Sequence, residues 1–234
     1  MAHVPASRIF DAPISAETDS ALAASRKLRQ NRNALRASLN LKPFTLLSVC
    51  RLIKQKDIQR VITALSLLAL EERNAISYLI VGEGPLRKNL EKLAAKLVPD
   101  MDIRFIGYKL PPELWEYYCV ADCFILPSLG DKWGYVVHEA AVSGLPLLLS
   151  DKVGAAADLL EDGVNGFIFP AGNSAAIVHT LKKAMHPDFF ANAGSISLQK
   201  SLKRNEKKTA LSIYSIITSM LRSQRQQLQN ISLP

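Results

Sequence analysis

Short apolar runs alternate along the chain with segments in which apolar residues recur at helical spacing. Six runs are nearly continuous in hydrophobic residues: 44–49, 76–81, 103–106, 123–127, 145–150 and 166–169. Such runs are typical of strands buried on both faces of a sheet, because side chains in both directions must then be apolar. Strands alternating with helices predict an α/β domain with a Rossmann-like, doubly wound parallel sheet.

Helices are predicted between and beyond these strands. Helical spacing or a helix-starting proline marks the segments 57–70, 85–93, 111–118, 134–143, 154–160 and 173–185. Pro85 suits an early helical position, because the N–H group that proline lacks has no partner in the first turn. Residues 20–38 have helical composition, residues 1–20 look irregular, and a long amphipathic helix is predicted over 205–227.

Candidate ligand-binding residues fall where the predicted strands end. Arg51 follows the first strand, Gly82 the second, Gly107 the third and Ser128 the fourth. In open parallel sheets, ligands bind beyond the carboxyl ends of the strands. Position along the chain therefore predicts a binding cleft at that edge of the sheet.

Two acids stand eight positions apart in the segment DKWGYVVHEAAVSGLPLLLSD. Asp131 precedes Gly134, and Glu139 lies in the helix predicted to follow. An ionised carboxylate only accepts hydrogen bonds, so it suits paired hydroxyl groups. The helix would begin with the N–H groups of Trp133, Gly134, Tyr135 and Val136. Because a helix N-terminus favours phosphate, hydroxyl acceptors beside it predict a nucleotide-sugar site.

With these residues, the chain resembles the donor-binding half of retaining glycosyltransferases of the group 1 (family 4) type, which have the two-domain GT-B fold. The two acids resemble that family's acid-x7-acid signature, with Asp131 where the family usually has Glu. Further segments resemble family landmarks in the same order: LLSVCRLIKQK, YLIVGEGPLRKNL, IRFIGY, ADCFILPSL and DGVNGFIFPAGN. The resemblance runs from about residue 40 to residue 190.

The resemblance implies roles for four charged side chains. Arg51 and Lys56 would bind the donor diphosphate and stabilise the charge on the departing nucleoside diphosphate. This replaces a metal in the family, so neither a metal nor another cofactor is expected. Glu139 would accept hydrogen bonds from the ribose hydroxyls, and Asp131 would contact hydroxyls of the donor sugar.

Other residues would contact the donor mostly through the backbone, namely Gly107, Tyr108, Lys109, Gly134, Tyr135 and Val136. The resemblance places the first three beside the nucleobase and the last three beside phosphate or sugar. Gly82 and Gly84 are similar to a phosphate loop. A single Gly-x-Gly pattern is a weak signal, however, and tight strand-to-helix turning is the better interpretation.

Each role has a simpler alternative. Arg51 and Lys56 could be surface charges at a helix start, where Lys54 also lies. Cys50 and Asp57 both stand where the family usually has Gly, and Asp57 could instead cap the next helix. The two acids of the signature could be a loop acid that caps the helix and an acid on the helix surface.

The net charge of +8 is concentrated at the two ends of the chain. Residues 1–60 carry 11 Lys/Arg against 4 Asp/Glu, and residues 200–234 carry 7 basic residues against one acid. These ends are either solvated helix faces or surfaces that contact an anionic partner such as membrane lipid. Nucleic acid is disfavoured, because the basic runs lack interleaved aromatic residues and no recognition motif occurs.

Composition and cysteine usage indicate a cytoplasmic protein, with peripheral contact to the inner face of the membrane as an option. Hydrophobic residues make up 48% of the chain, but no apolar run reaches the roughly 18 residues of a membrane span. The N-terminus has no secretory signal pattern. The odd number of cysteines predicts buried thiols in a reducing compartment, with Cys119 and Cys123 one helical turn apart if the helix persists.

Three segments follow from these patterns. Residues 1–40 are predicted to be an extension that resembles an interdomain linker, residues 41–190 a donor-binding domain, and residues 191–234 a basic amphipathic helical segment. The family's N-terminal domain, which holds the acceptor, would precede residue 1. We therefore expect either a fragment or a chain whose other half is a separate polypeptide.

The function predicted is that of a glycosyltransferase domain. It would transfer a hexose from a UDP- or GDP-sugar to a polysaccharide, lipopolysaccharide or glycolipid acceptor, with the missing domain required for turnover. The alternative is a non-catalytic nucleotide-sugar-binding subunit, or a truncated remnant, that pairs with another protein through helix 205–227. A nucleotide-sugar epimerase lacks support.

Overall fold

A computed structural model describes residues 18–231 of the 234-residue chain, apart from the side chains of residues 187, 188, 190, 191, 206 and 225–231. The segment at 1–17, predicted to be irregular and linker-like, lies outside the described residues.

A parallel sheet forms the centre of the structure. Its strands are β1 (Phe44–Val49), β2 (Ile76–Val81), β3 (Asp102–Gly107), β4 (Cys123–Leu126), β5 (Leu147–Ser150) and β6 (Gly166–Phe169). They lie in the order β3-β2-β1-β4-β5-β6, and each neighbouring pair is parallel. The direction of winding reverses between β1 and β4, as in doubly wound nucleotide-binding sheets. The predicted fold class is therefore confirmed.

Burial explains why the apolar runs are continuous. Every residue of β1, β2, β4 and β5 is buried, because helices cover both faces of these central strands. The edge strands β3 and β6 are only partly buried. The core therefore lies on both sides of the four central strands.

The helices largely follow the predicted segments. They are α1 (Thr18–Arg29), α2 (Arg32–Ser38), α3 (Ile58–Ser66), α4 (Leu70–Asn74), α5 (Arg87–Leu97), α6 (Glu113–Val120), α7 (Tyr135–Val142), α8 (Ala156–Leu159), α9 (Ser174–Ala184), α10 (Pro187–Leu202) and α11 (Glu206–Ile231). The single helix predicted over 57–70 is divided between α3 and α4. Helix α10 begins four residues before the helical segment predicted over 191–234, and it packs on α7 and α8.

Pro85 was predicted to occupy an early position in a helix. That prediction is wrong, because Pro85 lies in the turn before α5. The loop after β2 is hydrogen-bonded to the loop after β1: Leu52 N donates to Glu83 O at 2.9 Å, and Leu86 N donates to Leu52 O at 3.1 Å. Because these bonds tie Glu83 and Leu86, on either side of Pro85, to the loop after β1, the helix begins only at Arg87.

Arginines of the N-terminal helices bind the domain itself. Arg29 donates to Ser143 O at the end of α7 at 2.6 Å. Arg32 and Arg36 donate to the last carbonyls of α6, at 2.9 Å to Cys119 O and 2.6 Å to Val120 O. Cations near a helix C-terminus satisfy orphan carbonyls and complement the helix dipole. Much of the basic charge on this segment therefore fixes α1 and α2 to α6 and α7.

The three cysteines are free and buried, which confirms their prediction as buried thiols. The helix does not persist from Cys119 to Cys123, because α6 ends at Val120 and Cys123 begins β4, the strand predicted from residue 123. Among the side chains that the structure describes, no group of three or more His, Cys, Asp or Glu could hold a metal ion.

Helix α11 projects an apolar surface. Its exposed large side chains are Leu211, Ile213, Tyr214, Ile217, Met220 and Leu221. None of the helices in the described part of the chain combines the length and hydropathy needed to cross a bilayer.

Candidate active site

Two adjoining cavities open beyond the carboxyl ends of the central strands. The first, of about 560 Å³, is lined by residues that follow β1, β2 and β3 and by Glu139 of α7. The second, of about 550 Å³, lies between the loop after β1 and the start of α7. Both are lined by Val49, Cys50, Arg51 and Val136, so they form one cleft. Its location at the β1/β4 reversal is the one predicted from strand ends.

Most of the predicted site residues line this cleft. Tyr108, Lys109 and Glu139 line the first cavity, and the second is lined by Lys56, Asp131, Trp133, Gly134 and Tyr135. Gly107 is not among the lining residues. Its carbonyl accepts a hydrogen bond from Gly82 N at 2.8 Å, which uses this residue to join the loops after β2 and β3.

The wall of the first cavity includes apolar residues that sequence reasoning did not select, namely Val81, Leu110, Pro111 and Leu114. Tyr108 stands at this wall with 68% of its surface exposed, and Lys109 Nζ donates to Glu113 Oε2 at 2.7 Å. An apolar wall beside a free aromatic ring suits a flat ring system such as a nucleobase.

Gly82 and Gly84 allow the loops after β1 and β2 to touch. A Cβ atom at Gly82 would overlap the carbonyl oxygen of Cys50, and one at Gly84 would lie 2.5 Å from that of Leu52. This agrees with tight turning as the reason for the two glycines. Their close approach fixes the backbone on either side of Arg51.

Lys56 and Asp131 form an ion pair at the second cavity. Their side chains are only 19% and 16% exposed, so each charge largely neutralises the other inside the cleft. Arg51 differs, because no acidic side chain in the described part of the chain pairs with it. Its guanidinium therefore remains available beside both cavities.

Helix α7 begins at this cleft. Gly134 takes the left-handed conformation, with φ of 90°, immediately before the first helical residue, Tyr135. Gly134 has no side chain to cap α7, and Asp131 pairs with Lys56 instead of capping it. The first N–H groups of a helix have no partner within it, so α7 presents hydrogen-bond donors to the second cavity.

Glu139 is held by Tyr118, a residue for which the sequence predicted a helical position but no role at the site. Its Oε2 accepts a hydrogen bond of 2.8 Å from the hydroxyl of Tyr118, a fully buried side chain of α6. Burial raises the pKa of the Glu139 carboxyl, and the hydrogen bond from Tyr118 acts in the opposite direction. The two residues are separated by 21 positions, and no local pattern in the sequence links them.

Asp57 is not the helix cap that the sequence allowed. It occupies the N-cap position of α3, but its side chain makes no capping hydrogen bond. It is a non-glycine residue with φ of 48°, and its buried Oδ1 lacks a hydrogen-bond partner among the described residues. Its other oxygen lies 3.3 Å from Arg60 Nε. The position where the resembled family has Gly thus retains a backbone suited to Gly.

Replacing Asp57 with glycine is expected to stabilise the chain by about 1 kcal/mol, because it removes left-handed strain and an unsatisfied buried oxygen. Urea unfolding measures the change. Asp57→Ala is the matched control, since it removes the carboxylate but keeps a Cβ in the left-handed conformation. If the glycine variant is less stable than the alanine variant, the left-handed backbone at position 57 does not destabilise the wild-type chain.

The doubly wound sheet, with its cleft at the point of reversal, defines a Rossmann-like domain. Residues 31–209 match the family described as glycosyl transferases group 1. This match covers more than half of the chain, and the chain belongs to that family.

Named relatives agree with this membership. The chain is 33% identical over 145 residues to the amylovoran biosynthesis glycosyltransferase AmsK of Erwinia amylovora, covering 59% of this chain and 35% of AmsK. It is 30% identical over 180 residues to the α-monoglucosyldiacylglycerol synthase of Streptococcus pneumoniae, covering 71% and 41%. The crystal structure of Anabaena HepE with UDP-glucose has the same fold, with a TM-score of 0.71, 20% identity and coverage of 81% and 53%.

The chain thus spans less than half the length of both curated relatives.

Proposed function

We propose that this chain is the donor-binding half of a retaining hexosyltransferase. It would bind a UDP- or GDP-sugar and act with an N-terminal domain on a polysaccharide, lipopolysaccharide or glycolipid acceptor in the cytoplasm. The observation that carries the proposal is the order of chemistry from one cavity to the next: an apolar wall and Glu139 line the first, Arg51 lines both, and Lys56 and Asp131 line the second beside the start of α7. That order matches the order of groups in a nucleotide sugar.

The first cavity would hold the nucleoside. The base would lie against the apolar wall and Tyr108, and the ribose hydroxyls would donate to Glu139. An acceptor-only carboxylate suits two neighbouring hydroxyl groups, provided that it is ionised.

The second cavity would hold the diphosphate and sugar. Cleavage of the bond between the anomeric carbon and the phosphate oxygen leaves negative charge on the nucleoside diphosphate. Arg51, Lys56 and the N–H groups at the start of α7 would stabilise that charge, without a metal. Asp131 would accept hydrogen bonds from sugar hydroxyls, once Lys56 turns from Asp131 to the phosphate.

Names of relatives support the acceptor class and the donor class. AmsK is named for amylovoran biosynthesis, the pneumococcal relative is a glycolipid synthase, and HepE was crystallised with UDP-glucose.

The exposed apolar face of α11 also fits the second candidate, a binding subunit that associates with another protein. Sugar transfer by the chain together with an N-terminal domain would favour the enzyme, and donor binding without transfer would favour the subunit.

Titration calorimetry with UDP, GDP, ADP and uridine tests the donor site. We expect one diphosphate to bind best, and Arg51→Gln to weaken that binding by about tenfold, as expected for one charge-assisted hydrogen bond. Uridine binding should not change, because uridine has no phosphate. Lys54→Gln is the matched control, since Lys54 is exposed and lines neither cavity. A folded chain that binds no nucleotide contradicts the proposal.

A further inference from the structure

We propose that Tyr118 is a positioning residue for donor binding, which orients the carboxylate of Glu139 and keeps it ionised for the ribose. This inference rests on the proposed function. Tyr118 itself does not line either cavity, so its effect on the donor passes through Glu139.

The Tyr118 ring is fixed in one orientation by packing. It is fully buried between two aromatic neighbours, with ring centroids 5.6 Å from Trp115 and 6.3 Å from Phe124. Its hydroxyl lies 2.8 Å from Glu139 Oε2 and 3.3 Å from the carbonyl oxygen of Val136. One donor therefore contacts both the proposed ribose acceptor and the first turn of α7.

This arrangement divides the carboxylate between two tasks. Oε2 accepts from Tyr118, which fixes the side-chain torsion, and Oε1 stays available to the first cavity. A hydroxyl can donate to an ionised carboxylate, so the contact favours the charged form over the neutral form. A buried carboxyl would otherwise be biased toward the neutral form, in which one oxygen becomes a donor.

Among the described residues, no other side chain hydrogen-bonds to the Glu139 carboxylate. The remaining titratable groups that line the first cavity are Cys50, Arg51, Glu83, Tyr108 and Lys109. Burial raises the pKa of Cys50 to about 12, so its thiol stays neutral. Glu83 pairs with Arg87 and Lys109 pairs with Glu113. On α7 itself, the neighbouring His138 is buried, with its Nε2 3.2 Å from Ser201 O.

The test is UDP titration of Tyr118→Phe and wild type from about pH 5.5 to about pH 8.5, a range that spans ordinary shifts of a buried carboxyl. GDP replaces UDP if it binds better. Loss of the hydroxyl raises the pKa of Glu139 further, so the variant should lose affinity at a higher pH than wild type does. We expect about tenfold weaker binding at the acid end and less than about threefold at the alkaline end.

Glu139→Gln provides the control, because an amide does not titrate. In that background, Tyr118→Phe should leave the pH profile unchanged, and protonation of UDP affects all variants alike. If Tyr118→Phe does not fold, fluorotyrosine incorporated at position 118 alone gives the opposite test, since a stronger hydroxyl donor should shift the profile to lower pH.

The outcomes separate the two proposals. A wild-type chain that binds UDP, with the same pH profile in Tyr118→Phe, overturns the positioning role and leaves the donor site intact. An equal loss of affinity at every pH also overturns it, since that result indicates a packing effect alone. A folded wild-type chain that binds no nucleotide at any pH overturns both.

Discussion

Glu139→Ala is expected to weaken nucleotide diphosphate binding by about 100-fold, because two ribose hydroxyls would each lose a charged acceptor worth about 1.5 kcal/mol. The effect should be larger than that of Arg51→Gln, since Arg51 is exposed and Glu139 is half-buried. Calorimetry with UDP and uridine measures it. Uridine should lose as much affinity as UDP, because both carry the ribose.

Glu139→Gln shows whether the loss reflects chemistry or misfolding. Burial raises the pKa of Glu139 above its ordinary value of 4.5, and the Tyr118 hydrogen bond offsets only part of this. The folded chain thus binds a proton more tightly than the unfolded chain. The stability that this group contributes is present below pH 4.5 and is lost as pH rises through the folded pKa.

At neutral pH the carboxylate therefore lowers the free energy of unfolding, and the glutamine variant should be at least as stable as wild type. Unaltered UDP affinity in a folded Glu139→Ala chain would instead identify Glu139 as an acid without a role at the site.

Asp122→Ala is expected to lower the free energy of unfolding by about 3 kcal/mol, because it leaves two partly buried cations without an opposite charge and a buried N–H without an acceptor. Asp122 accepts from Arg32 at 2.6 Å, from Arg36 at 2.8 Å and from the backbone N of Thr45 at 2.7 Å. These contacts join α2 to the start of β1 and to the loop between α6 and β4. Urea unfolding monitored by circular dichroism measures the change.

Asp100→Ala is the matched control, since Asp100 is exposed and should change stability by less than about 0.5 kcal/mol. A loss below about 1 kcal/mol in Asp122→Ala would assign the N-terminal arginines to surface ion pairs of little energetic value. A loss of about 3 kcal/mol would show that residues 18–38 contribute to the stability of the folded domain. That matters for the site, because α6, whose last carbonyls these arginines bind, carries Tyr118.

The hydrophobic pattern determined most of the fold. Short continuous apolar runs that alternate with segments of helical spacing are typical of strands covered on both faces, so the sheet and its helices followed from local chemistry. The site's location followed too, because the carboxyl ends of parallel strands share one edge. Local patterns predicted the wrong helix boundary where loops contact each other. The sequence predicted a helix from Pro85, but hydrogen bonds between the loops after β1 and β2 place the start of α5 beyond Pro85.

The sequence by itself thus determined the class of domain, the edge of the sheet at which the cleft lies and most of the charged side chains that line it. Only the tertiary structure decided which of these groups touch. Lys56 meets Asp131 across 75 positions, Arg36 meets Asp122 across 86, and Tyr118 meets Glu139 across 21. Such pairs depend on the direction of each side chain after packing, to within an ångström. Spacing along the chain carries no information on that direction once a strand, a turn and a helix intervene.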